Sequence, residues 1–130
     1  HGIDPGTAPA PEVANWHRTD GRRAAHLLCA EHPEVDGIVC GNDELALGVL
    51  AGLRDRGRRV PQEVAVVGYD DSPDAPFAFP SLSSISPDKT FIARLALDML
   101  AERIGGYEGP PRMVTAPHQL IVRDSTAAAD

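Results

Sequence analysis

Lysine is almost missing from these 130 residues: Lys89 stands alone among twelve basic side chains, and the rest are arginines. Nineteen acidic residues leave a formal net charge of −7, and no cluster of Lys and Arg forms a compensating basic stripe. Such a chain has no electrostatic means of its own to hold a phosphate backbone, which excludes unaided DNA binding. Aromatics are scarce, with one Trp, two Tyr and three Phe. The two cysteines, Cys29 and Cys40, fall in segments that read as a helix and a strand interior. They are expected to be small apolar core residues rather than a disulfide, which fits a cytoplasmic location. No apolar run approaches the length of a membrane span or a signal-peptide core, so no membrane partner is expected. His17, His26, His32 and His118 show no metal-ligand spacing with one another or with the cysteines, and Ser72 and Ser86 have no identifiable base. No metal, cofactor or catalytic residue is therefore assigned, and the chain is not expected to be an enzyme.

What is present is enough for one packed core, with 42% hydrophobic and 24% charged residues. The opening HGIDPGTAPAPE is Pro-rich and reads as the middle of something longer. Beyond it the pattern alternates. Val13 to Asn15 is a weak strand candidate, and Ala24, Ala25 and Leu28 share one helical face in a helix from Arg18 to Glu31. Asp36 to Gly41 reads as a short strand, with the N-cap types Asn42 and Asp43 directly after it. The next helix places Ala46, Val49, Leu50 and Leu53 on one face and ends at Gly57. VAVVG is so continuously apolar that it suits a parallel strand covered on both faces. A loop with three prolines leads to an LSSI strand, and then to a helix from about Asp88 to Ile104. Short strands are expected near Arg112 to Ala116 and Gln119 to Val122.

Strand, helix, strand, helix, strand implies right-handed crossovers, so the strands are parallel and their carboxyl ends share one edge, where open α/β folds place ligands. The residues at those carboxyl ends have a common chemistry. Trp16 offers an indole face suited to the C–H surface of a sugar ring, Asn42 an amide that donates and accepts, and Asp70 a carboxylate that accepts from two hydroxyls. A neutral sugar or polyol is the expected ligand class. Asn42 has a competing role as a helix cap, compatible with ligand contact only if Asp43 does the capping. Asp43 and Asp71 are secondary candidates: Asp43 is placed to cap the second helix, and Asp71 to accept backbone bonds in the turn before Pro73. An acid/base pair or magnesium site built on Asp70, Asp71 and Asp43 is less apt, because adjacent carboxylates on one loop point in different directions.

The stretch IVCGNDELALGVLAGLRDRGRRVPQEVAVVGYDDSP, with FPSLSSI after it, resembles the effector-binding domain of the LacI/GalR family of bacterial transcriptional repressors, in order and spacing. LIVRDST resembles the family's usual ending. The resemblance implies an α/β, three-layer αβα lobe with a parallel, Rossmann-like sheet, of the periplasmic-binding-protein-like type I fold. It assigns Trp16, Asn42 and Asp70 to effector contact. Pro87 departs from the pattern, standing where the family often has a glutamine or other polar residue. The resemblance also implies that residues 1–130 are the C-terminal portion of the effector domain, its second lobe. Residues 88–111 would return to the first lobe, and the DNA-binding headpiece and most of the first lobe would lie outside the chain. The implied function is the effector-binding portion of a sugar-responsive regulator that reaches operator DNA only through that headpiece. The alternative is a periplasmic sugar-binding protein of an ABC transporter. A homodimer is expected through Leu47 and the loop carrying Phe77 and Phe79, since apolar residues gathered in a surface connection usually mark an interface.

Overall fold

Two small residues decide how the first two helices meet. A Cβ on Gly21 would lie 2.1 Å from the Leu45 carbonyl oxygen, and one on Gly48 would lie 2.0 Å from that of Arg18. Each glycine admits the other helix's backbone, so α1 (Arg18–Glu31) and α2 (Asp43–Asp55) pack at closer range than side chains would permit. Between and beneath them Ala25, Ala46, Val49, Leu50 and Leu53 are buried with Val64, Val66 and Leu82 of the sheet region. Gly57, at φ 69°, takes the left-handed conformation that stops α2, as its place in the sequence predicts.

The computed structural model describes residues 8–127. Its order is α1, β1 (Gly37–Val39), α2, β2 (Ala65–Tyr69), a 3₁₀ turn (Ala75–Phe77), β3 (Ser83–Pro87), α3 (Lys89–Ile104) and β4 (His118–Ile121). The four strands form one sheet in the order β1-β2-β3-β4. β1 and β2 are parallel, as are β2 and β3, whereas β4 runs antiparallel to β3 with Pro87 opposite His118. The sheet is thus mixed rather than wholly parallel. Two expected strands do not form: Val13 to Asn15 and Arg112 to Ala116 carry no strand. Both are short, and neither finds a neighbour with which to pair its backbone.

One helical layer covers one face. On β2, Val66 is buried while Ala65 and Val67 on the opposite face are only partly so, which corrects the expectation of a strand sealed on both sides. α3 is capped by the Asp88 carboxylate, which accepts from the Phe91 amide at 2.8 Å, yet it buries none of its residues. Phe91, Ile92, Leu97, Leu100 and Ile104 stay exposed along it, so the third layer is not supplied by this helix. No helix among the described residues is long and apolar enough to cross a membrane.

Both cysteines are free thiols, as expected from their positions. Burial, with the charge of Asp43 adding, pushes the Cys40 thiol up to about 12. At pH 8 Cys40 is therefore protonated and enclosed. We expect iodoacetamide to label the half-buried Cys29 and to spare Cys40 in the folded protein, read by peptide mass spectrometry.

Candidate functional site at the carboxyl edge of the sheet

The parallel register brings the strand ends together. Val39 pairs with Val67, and Tyr69 with Ile85, so the residues after β1, β2 and β3 emerge on one edge. Asn42 and Asp70 arrive there from β1 and β2. Trp16 arrives differently, from an irregular segment just before α1, and it is held by the β1–α2 loop. The Asn42 amide donates to the Trp16 carbonyl at 3.2 Å, and the indole lies against Gly41, where a Cβ would be 2.7 Å from Cζ3. Trp16 as a whole remains 58% exposed.

Asn42 caps α2 itself: its Oδ1 accepts from the Leu45 amide at 2.8 Å. Asp43 does not cap, contrary to the expectation from its position. It is 1% exposed, and its two oxygens accept from the Ser72 amide and the Ser84 hydroxyl, each at 2.6 Å. Asp43 therefore ties the start of α2 to the loop after β2 and to β3. The condition that Asn42 is spare only if Asp43 caps also falls. A primary amide has two N–H donors and two acceptor lone pairs, so Asn42 keeps one of each after bonding Trp16 and Leu45.

Asp70 and Asp71 both have positive φ, at 115° and 50°. Side chains rarely adopt such conformations, which cost about 1–3 kcal/mol each and persist only when the surroundings fix them. The fixing groups are present. The Asp70 amide donates to the Ile85 carbonyl at 2.9 Å, and the Asp71 amide to the Ser84 hydroxyl at 3.0 Å. Lys89 donates to the Asp70 carbonyl. The Asp71 carboxylate pairs with Arg123 at 2.7 Å, so Asp71 accepts from a side chain rather than from the turn's backbone. Among the described residues the Asp70 carboxylate accepts no hydrogen bond and stays half-buried at the edge.

Nothing in the sequence pattern singles out Lys89 or Arg123 for this edge. Arg123 belongs to the LIVRDST ending, which threads back into the sheet. The buried Ser125 hydroxyl donates to the Val66 carbonyl at 2.6 Å and accepts from the Ser83 amide at 2.8 Å, bridging β2 to β3. A separate open depression on the β3–β4 side is lined by Ser86, Pro87, Asp88, Pro117, His118 and Gln119. Phe77 and Phe79 are 87% and 90% exposed, but Leu47 is half-buried against its own core and offers less surface than expected.

A family model described as a periplasmic binding protein-like domain matches residues 3–126. The HTH-type transcriptional regulator MalR of Streptomyces coelicolor is 36% identical over 109 residues, 84% of this chain and 31% of that protein. The chain therefore spans about a third of the length of the curated relatives it matches. Among solved structures, the complex of the transcriptional regulator CelR with cellobiose superposes with a TM-score of 0.78 at 35% identity, over 85% of this chain and 34% of that one. The lac repressor dimer bound to operator and the anti-inducer ONPF superposes with a TM-score of 0.77 at 26% identity, over 88% and 40%. The chain belongs to the periplasmic binding protein-like domain family, in the form carried by the effector-binding region of LacI/GalR-type regulators.

Proposed function

We propose that this chain is the effector-binding portion of a cytoplasmic, sugar-responsive transcriptional regulator, with no catalytic activity of its own. The observation that carries it is the sheet edge that holds Asp70 together with Trp16 and Asn42, the latter two joined by a hydrogen bond. An indole face, a spare amide donor and acceptor, and a carboxylate without a partner among the described residues make the set of groups a neutral sugar requires. The CelR relative holds cellobiose, and the relatives being regulators favours this function over a transporter component. Asp43 and Asp71, each committed to partners within the fold, support the site rather than touch the ligand. The edge is open, which suits half of a crevice whose other half is a first lobe. Residues 88–111 would reach that lobe, covering the exposed apolar side chains of α3. Operator binding would belong to a headpiece outside this chain. Calorimetric titration of the intact regulator with maltose, cellobiose and lactose, coupled to a gel-shift on its own promoter, tests this. A sugar that binds and weakens the operator complex is the expected result; operator binding indifferent to any bound sugar counts against it, because a ligand shifts an equilibrium only by its differential affinity.

Phe77 and Phe79 support a two-fold homodimer, with Leu47 at its margin. Phe77→Asp with Phe79→Asp is expected to convert the intact protein to a monomer at low micromolar concentration by light scattering. An unchanged dimer would move the interface elsewhere.

A further inference from the structure

The peptide unit between Asp70 and Asp71 is held at both ends. Its carbonyl, that of Asp70, accepts from Lys89, and its N–H, that of Asp71, donates to the Ser84 hydroxyl at 3.0 Å. The positive φ of Asp71 makes this the peptide that would flip if released, since a flip changes ψ of Asp70 and φ of Asp71 together: it carries Asp71 out of the left-handed region and alters the backbone angle that decides which Asp70 rotamers are allowed. A second hold acts one residue on. The Arg123 guanidinium pairs with Asp71 at 2.7 Å and donates to the Leu82 carbonyl at 2.7 Å, so the Asp71 side chain is tied to the residue that leads into β3.

We propose that Lys89 and Arg123 are positioning residues for Asp70: by restraining the 70–71 peptide they hold the Asp70 carboxylate where the sugar meets it. This rests on the effector reading above for its functional consequence, but the restraint itself does not. Lys89 is the only lysine of the chain and opens α3, the helix that buries none of its residues. The restraint on Asp70 therefore comes from an element outside the packed core, and a shift of α3 relative to the sheet is transmitted to the peptide that carries the ligand carboxylate.

The test uses the intact regulator as wild type, Lys89→Met, Lys89→Arg, Arg123→Met and Arg123→Lys. Amide exchange of Asp70, Asp71 and Ser72 is measured by NMR, with calorimetry against cellobiose and maltose alongside. Lys89→Met is expected to speed exchange at these amides about tenfold and to weaken sugar binding roughly three- to tenfold, with Lys89→Arg within about twofold of wild type on both. Arg123→Met should act in the same direction and Arg123→Lys should recover most of it. Lys89 is exposed, so its variants remain informative even if Arg123→Met does not fold. Exchange at residues 70–72 equal to wild type in Lys89→Met overturns the proposal, and so does faster exchange that Lys89→Arg fails to restore. A wild-type protein that binds neither sugar, with the exchange pattern as expected, sustains the restraint and sends the effector reading back to other sugars.

Discussion

Asp70→Ala in the intact regulator is expected to weaken sugar binding roughly ten- to hundredfold, or about 1.4–2.8 kcal/mol, while leaving the melting temperature close to wild type. The two halves of this expectation come from one fact. Among the described residues the Asp70 carboxylate bonds to nothing, whereas its backbone amide and carbonyl are both held, by Ile85 and Lys89. Removing the side chain therefore costs the fold little and removes the strongest acceptor at the edge, since a bond to an ionised carboxylate contributes about 1.5–3 kcal/mol. Isothermal titration and a thermal melt separate the two effects. A variant with wild-type affinity and a lowered melting temperature would make Asp70 a turn residue.

Asp43→Ala should do the reverse and more: unfolding free energy falls by about 2–5 kcal/mol, at about 1–3 for each buried donor left without its partner, a large share of a small domain's stability. Asp43 is enclosed, and both of its oxygens are used, on the Ser72 amide and the Ser84 hydroxyl at 2.6 Å. Alanine leaves both donors without their partner and empties the space over Gly68 that the carboxylate fills, where a Cβ would meet Asp43 Oδ1 at 2.1 Å. Asp43→Asn keeps one acceptor and the shape, so it should lose less than half as much. Urea denaturation checks both, and a loss for Asp43→Ala under about 1 kcal/mol would contradict the role assigned to this carboxylate.

These two aspartates show where sequence is enough and where it stops. Asp70 is legible because an apolar strand running straight into a carboxylate places that carboxylate at a known edge. Asn42 and Asp43 are both good cap residues, and nothing local decides which one turns outward to cap and which is buried. The decision is made by Ser72 and Ser84, the first 29 and the second 41 residues away. Arg123 escapes for the same reason, being 52 residues from Asp71. Helix limits are readable from periodicity and stops: the first helix runs from Arg18 to Glu31 as expected, and Gly57 ends the second. The strands expected at Val13 to Asn15 and Arg112 to Ala116 fail because a strand exists only when a neighbour accepts its backbone. The reciprocal glycines, Gly21 and Gly48, carry a signal that only the α1–α2 contact makes meaningful.

A crystal structure of the intact regulator with the sugar that its titration identifies shows directly where the effector sits. The sugar is expected at the carboxyl edge of the sheet, its ring stacked on Trp16, with hydroxyls within hydrogen-bond distance of the Asp70 carboxylate and the Asn42 amide. A sugar bound elsewhere, for instance in the depression lined by Ser86, Asp88, His118 and Gln119 with Trp16, Asn42 and Asp70 untouched, would contradict it.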